Sequence, residues 1–460
     1  MNTAQNHFAA VRAVEGDDPE RLAALRGEWS DLFEAAGSPN PFLSWEWQYT
    51  WWRTFARRRG VWILEARDHG GRLVGLLTLC ARVSLGGARR FTLLGGGIGG
   101  ADGLDALVRP GCGPAVRAAF AQVIASSLGR WDVLDLEDLP CGTSTIPALR
   151  AALIPRGVKC GVEPRFACPG FAVRGTFAVH LAGMRRRETC LRRRRWFERQ
   201  PGFRIEVAER PEAVPEAVED FLRLHHLRWD PVGGSGGIPR GLTEDFHRDV
   251  APLLAERGWL RLYRLLVGGR SVAAVYGIEV GGRFYYYQSG LDPAWAARSP
   301  GLVLLARTVE DAYARRLTDY DFLRGSEPHK LDWAGDRRET CALRLRAPGL
   351  RSAAGAAAEE VFRAAREAAR AIAPQRMWST LRRMRRSVTA NGLSSVLHGW
   401  LGGEGHGRAP VGRDDGPEPV TAGGGGAVGV SGAQPPTSMT AKPAAARVAS
   451  ACAEGAAAGT

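Results

Sequence analysis

The residues best placed to do chemistry are Ser299, Pro300 and Gly301, a short loop beyond the aromatic run Phe284-Tyr285-Tyr286-Tyr287. Aromatic side chains at that density favour an extended strand. Ser299 stands where a helix N-cap belongs, and Pro300 where the first helical residue belongs. Gly301 leaves the first turn bare, so another molecule can approach the backbone. Such a helix start offers unpaired N–H groups and the positive end of the helix dipole, which together bind phosphate. The same residues also describe an ordinary capped helix. A second segment, Gly95-Gly96-Gly97-Ile98-Gly99-Gly100, follows a strand and is a rival cradle, but it lacks a cap and an immediate helix start.

Other patterns carry less. Gly233-Gly234-Ser235-Gly236-Gly237 has the spacing of a nucleophile elbow, yet it lies in a glycine run without strand-turn-helix context. His225 and His226 share a helix with Trp229 and are expected to pack. No His/Cys cluster has metal-ligand spacing, so no metal is expected.

The elements that position the helix start belong to a weak internal repeat. Gly60-Val61-Trp62-Ile63-Leu64 precedes Gly70-Gly71-Arg72, and Gly258-Trp259-Leu260-Arg261-Leu262 precedes Gly268-Gly269-Arg270 at the same spacing. Each reads as a β-hairpin with turn glycines. A third strand, a loop, an amphipathic helix and another strand follow each hairpin. These are Phe91–Leu94, Pro114–Leu128 and Asp132–Leu136 in the first copy, and Phe284–Gln288, Pro300–Arg316 and Tyr320–Leu323 in the second. The repeat predicts a duplicated α+β unit, with a parallel strand pair in an otherwise antiparallel sheet.

In this setting, Leu291-Asp292-Pro293 followed by Ser299-Pro300-Gly301 resembles the acetyl-CoA loop of GNAT-type acyltransferases. Ser299 replaces that family's first glycine and Ala296 its leading Arg or Gln. The Tyr-rich strand, Asp321-Phe322-Leu323-Arg324-Gly325, Glu327-Pro328-His329-Lys330 and Leu224-His225-His226-Leu227-Arg228-Trp229 are similar to a divergent branch, the FemAB-like, CelD-type acetyltransferases. The resemblance covers roughly residues 25 to 345. It implies tandem duplicated GNAT-like domains, with mixed sheets flanked by helices. It also implies acetyl-CoA or another acyl-CoA as co-substrate and an amino group of a cell-envelope or exopolysaccharide precursor as acceptor. Pantetheine would run beside Gln288, Ser289 and Gly290, and Ser299, Pro300, Gly301 and Leu302 would cradle the pyrophosphate, with Arg298 adding charge. Asp102, Asp105 and Lys330 are the implied acceptor-binding residues. Glu327 is the expected base and His329 the second choice; a partly desolvated carboxylate there would have a raised pKa. The alternative is a structural bridge from Glu327 to Lys330 or Arg324. Two further readings stay open: a FemX-like transferase using aminoacyl-tRNA, and a non-catalytic scaffold of a polysaccharide synthase.

The 460 residues predict several segments: an extension (1–20), a first domain (21–175), a basic linking helix (176–200), a second, acyl-CoA-binding domain (201–348), C-terminal helices (349–401) and a disordered Gly/Ala/Pro-rich tail (402–460). The net charge of +14 suits a phosphate-bearing partner or an anionic surface. Residues 185–195 hold seven arginines on a predicted helix, read as a solvated face or a platform for phosphates. Residues 375–401 alternate Met, Leu and Val with arginine and include Trp400, which suits membrane or synthase contact. The eight cysteines contain no C-x-x-C pair, and no secretory signal or long apolar span is evident. The expected location is cytoplasmic, with peripheral contact at the inner membrane face.

Overall fold

The computed structural model describes residues 11–372, apart from 17–18, 38–39, 57–58, 85–86, 233 and 236. The expected helices at 375–401 and the expected disordered tail lie outside the described residues.

The first copy comprises β1 (Val11–Gly16), α1 (Pro19–Ala24), α2 (Arg26–Ala35), α3 (Trp45–Trp51), β2 (Val61–Arg67), β3 (Leu73–Val83), β4 (Arg89–Leu93), β5 (Leu107–Val108), α4 (Gly113–Ser126), β6 (Val133–Pro140), α5 (Thr145–Leu153) and β7 (Lys159–Ala172). Next come α6 (Phe177–Gly183) and α7 (Arg187–Glu198). The second copy has β8 (Arg204–Ala208), α8 (Val214–Trp229), α9 (Leu242–Glu256), β9 (Leu260–Val267), β10 (Arg270–Val280), β11 (Arg283–Leu291), α10 (Pro300–Ala314), β12 (Asp319–Asp321), α11 (Pro328–Leu331) and β13 (Asp336–Arg346), and α12 (Leu350–Ile372) closes the described chain. The single linking helix is thus two helices, separated at Met184–Arg186.

All strands join one 13-stranded sheet, ordered β1-β2-β3-β4-β6-β13-β7-β12-β11-β10-β9-β8, with β5 on β3. The parallel pairs are β4 with β6 and β11 with β12, one in each copy as the repeat predicts. The copies are interleaved: β13, last in sequence, pairs with β6 of the first copy, and β7 pairs with β12 of the second. The result is an α+β fold whose two halves share a central strand pair.

Side chains of β11 alternate between two cores, as the period of a strand requires. Tyr285 and Tyr287 enter the larger core, which runs across both halves; Phe284 and Tyr286 enter a second core beneath α10 and α7. At the seam, Trp47 of α3 packs edge-on against Phe246 of α9 (4.9 Å) and Tyr287 (5.5 Å). The Tyr287 hydroxyl donates to the Gly99 carbonyl, and Trp51 Nε1 donates to the Ile98 carbonyl at 2.7 Å. The rival glycine loop is therefore packed onto the seam. The helix α8 buries Val214, Ala217, Val218, Phe221, Leu222 and His225 at helical spacing. It reaches β11 at Gly290, where an added Cβ would lie 2.5 Å from His225 N and 2.7 Å from the Leu224 carbonyl carbon.

Candidate functional site

The β12 strand pairs with β11 only at Arg283, Phe284 and Tyr285, whereas β11 continues to Leu291. Beyond Tyr285 the parallel pair opens, and the β12-facing edge of residues 286–291 has no strand beside it. The helix α10 starts beside this opening. Ser299 occupies the cap position, but its side chain makes no capping bond and its backbone is left-handed, with φ 56° and ψ 52°. Its carbonyl accepts from the N–H groups of Leu302 (3.1 Å) and Val303 (3.4 Å). Pro300 has no N–H, so Gly301 carries the remaining first-turn donor. An added Cβ at Gly301 would meet nothing nearer than Leu291 Cδ2 at 3.7 Å, so the space above this turn is open. Arg298 is exposed and its guanidinium lies 4.5 Å over the Trp196 ring of α7. Arg192 and Arg199 flank Trp196 at one-turn spacing, so α7 turns a basic face toward the α10 start.

Two positions expected to meet pantetheine are already engaged. The Ser289 carbonyl accepts from His225 Nδ1 at 3.2 Å, and the Ser289 hydroxyl accepts from Arg228 at 3.0 Å. Gly290 lies under the α8 backbone. Both hold the helix rather than an open groove. Gln288 packs its amide against the Gly237 backbone.

The predicted acid–base group sits on α11. Gly325 has φ 112°, and a Cβ there would fall 2.8 Å from Glu327 Cδ, so only glycine lets the carboxylate fold back over this turn. Glu327 pairs with Lys330 Nζ at 3.0 Å, and Lys330, buried, also donates to the Arg324 carbonyl at 2.7 Å. Desolvation of Glu327 is outweighed by Lys330, which holds the carboxyl below its ordinary value. This corrects the expectation of a raised carboxylate, and Lys330, expected to meet an acceptor, is engaged in this bridge. His329 is half-buried, and burial together with the Lys330 charge lowers it to about 4, so its imidazole is neutral at neutral pH. Tyr286 feels the charges of Arg228 and Glu327, and burial keeps its hydroxyl protonated.

On the other face of β11, Tyr285 lines a cavity of about 400 Å³ between the halves, bordered by Asn40, Asp102, Asp105, Asp321 and Arg338. Asp102 and Asp105 both border it. Asp105 is committed: it accepts from Thr143 and Thr145 and from Ala106 N at 2.7 Å. Asp102 accepts from the Arg324 N–H at 2.7 Å and pairs with its guanidinium, while burial pushes the carboxyl up to about 6. Arg324 also reaches Asp138 Oδ2 at 3.2 Å. Asp138 is turned there by a slip of the β6–β13 ladder, with φ 62°. One arginine of the second half is thus clamped by two buried carboxylates of the first. Asp321, raised by burial, pairs with Arg338 of β13 at 3.0 Å. Arg338 and Asp138 had no signal in the sequence, since both act through strand pairings that join the halves. Among the described residues no group of three or more His, Cys, Asp or Glu is set to hold a metal ion, and no helix is long and apolar enough to cross a membrane.

Residues 184–331 match the acetyltransferase (GNAT) domain family. Among curated proteins nothing matches. Similar solved structures include FemX (11% identity, 68% of this chain and 95% of that one, TM-score 0.49). L-PGS from Bacillus licheniformis is similar at 13% identity, 71% of this chain and 91% of that one, TM-score 0.45. A tandem GNAT protein from the clavulanic acid biosynthesis pathway is similar at 15% identity, 74% of this chain and 100% of that one, TM-score 0.39.

Proposed function

We propose that this protein transfers an acyl group from a coenzyme A thioester to an amine, and that the acceptor is an amino group of a cell-envelope or exopolysaccharide precursor. The observation that carries the reading is the open edge of β11 beside a helix start bare at Gly301, within the stretch that matches a GNAT domain. The pyrophosphate lies against the Gly301 N–H, with Arg298 and the α7 arginines around it. The acyl group lies at the opening after Tyr285, and the amine comes from the junction cavity on the opposite face. Asp102 and Asp321 supply negative charge toward an ammonium group there, and Arg338 and Arg283 suit an acidic substituent.

Transfer forms a C–N bond and breaks the C–S bond. His329, whose imidazole is neutral at neutral pH, accepts the amine proton. The buried Tyr286 hydroxyl donates to the leaving thiolate. Glu327 positions α11 through Lys330. The test is release of free CoA thiol from acetyl-CoA with a panel of amino sugars and amino-sugar nucleotides. Amine-dependent release that is lost in His329→Ala supports the reading. Transfer only from aminoacyl-tRNA, with no CoA ester consumed, overturns it.

A further inference from the structure

The interleaved sheet carries a second polar face, in the first half, that acyl transfer does not use. A groove of about 1280 Å³ runs between α12 and the ends of β3, β4, β13 and β7. Its sheet side supplies Arg82, Arg90, Lys159, Arg344 and Arg346. The position is the counterpart of the junction cavity. Arg90 and Asp135 stand at the parallel pair of the first copy where Arg283 and Asp321 stand at that of the second. Asp135 neutralises Arg90 (2.8 Å) and Arg344 (3.2 Å). Glu359 of α12 reaches down to pair with Arg90 and with Arg346 at 2.9 Å. Part of the sheet side stays unpaired: Arg82 and Lys159 make no ion pair among the described residues, and Arg346 Nη1 is buried without a hydrogen bond. These cations crowd one another. Burial, then Arg59 and Arg90, lower Arg82, and burial, then Arg344 and Arg90, lower Arg346. Glu163, Glu360 and Glu367 also line the groove, so its charges nearly balance; what stays unmet lies on the sheet side, at Arg82, Lys159 and Arg346 Nη1, which an anion with several oxygens would satisfy.

We propose that this groove is a second binding site, for the phosphate groups of a ligand, and that Glu359 of α12 is its built-in competitor. Arg82, Lys159 and Arg346 take the phosphate oxygens, and Glu359 holds Arg90 and Arg346 until they do. The site does not depend on the acyl-donor reading, because it lies on the other half of the sheet.

The full chain is titrated calorimetrically with inorganic pyrophosphate at low salt, and separately mixed with vesicles containing an anionic phospholipid. Pyrophosphate binding is expected at two sites, one lost in Gly301→Asp; the other, measured in the Gly301→Asp protein, is weakened about tenfold by Arg82→Gln and by Lys159→Gln and tightened several-fold by Glu359→Gln. Binding of pyrophosphate assigns the phosphate to a soluble molecule. Binding of vesicles alone, with the same response to the variants, assigns it to a lipid headgroup. No binding of either, by the wild type or by Glu359→Gln, overturns the proposal. In the Gly301→Asp protein, binding that survives both Arg82→Gln and Lys159→Gln, or no binding at all, also overturns it.

Discussion

Gly290 and Gly301 stand at the two ends of one loop, and replacing each by alanine should separate scaffold from site. At Gly290 the new Cβ would lie 2.5 Å from His225 N, 2.7 Å from Leu224 C and 2.9 Å from Leu224 Cβ. Ordinary carbon contacts fall at about 3.5–4.0 Å, so the overlap is roughly 1 Å. Two of the three atoms are helix backbone and cannot rotate away. Either α8 lifts from β11, exposing Phe221 and Leu224, or the strand bends. Overpacking of this kind costs about 1–3 kcal/mol, and loss of α8 contact would place Gly290→Ala toward the upper end. At Gly301 the nearest atom is Leu291 Cδ2 at 3.7 Å, an ordinary contact, so Gly301→Ala should leave stability within ~0.5 kcal/mol. Urea denaturation of both variants followed by tyrosine and tryptophan fluorescence measures the contrast. Equal stabilities would refute the packing of α8 on β11 and return Gly290 to the ligand groove.

Replacing Arg324 with glutamine leaves Asp102 and Asp138 buried without their cation, and should cost roughly 3–5 kcal/mol by the same denaturation. Burial holds Asp102 at about 6 in the folded chain, above its ordinary 3.8, so the folded state keeps a proton that the unfolded chain has lost. Its contribution to stability is fully present below about pH 4 and is lost as pH rises to about 6; Asp102→Asn should remove that part of the profile. His225 and His247 have the opposite sign: burial lowers them to about 4 and about 3. Their neutral forms support the fold at neutral pH, and that support falls away as pH drops below about 6.5, which acid titration of stability would show. If His329 takes the amine proton, the acid limb of kcat/KM should fall near pH 4, and His329→Ala should lower kcat about 100-fold. Glu327→Gln should lower it less than tenfold; the reverse order would make the carboxylate the base.

The repeat was legible because its turn glycines and apolar runs recur at fixed offsets, and the observed β2–β3 and β9–β10 hairpins fall on them. The exchange of β7 and β13 between halves was not legible, since strand pairing is chosen by partners far away in the chain. Local signals misled at three places. Ser299 has a capping residue's identity, yet it takes a left-handed backbone after the preceding 3-10 turn (Pro293–Arg298). Gly290 read as backbone open to a ligand, whereas its missing side chain makes room for α8. Glu327 read as a desolvated base, but Lys330, three residues on, returns across one turn to neutralise it. Asp102 was found through a family resemblance; its partner Arg324 was visible only as part of a motif, because the clamp joins residues 222 apart.

The central claim is that the α10 start holds the phosphates of an acyl-CoA. Calorimetric titration of the wild type and Gly301→Asp with acetyl-CoA tests it most directly. An aspartate there has room and suits a helix first turn, so the fold should stand. A carboxylate about 5 Å from a phosphate opposes it by ~3 kcal/mol at an effective dielectric near 20, which is roughly 100-fold in affinity. Binding by the wild type, with that loss in the variant, is the predicted result. Equal affinity of the two proteins, or no binding by either, would contradict the account.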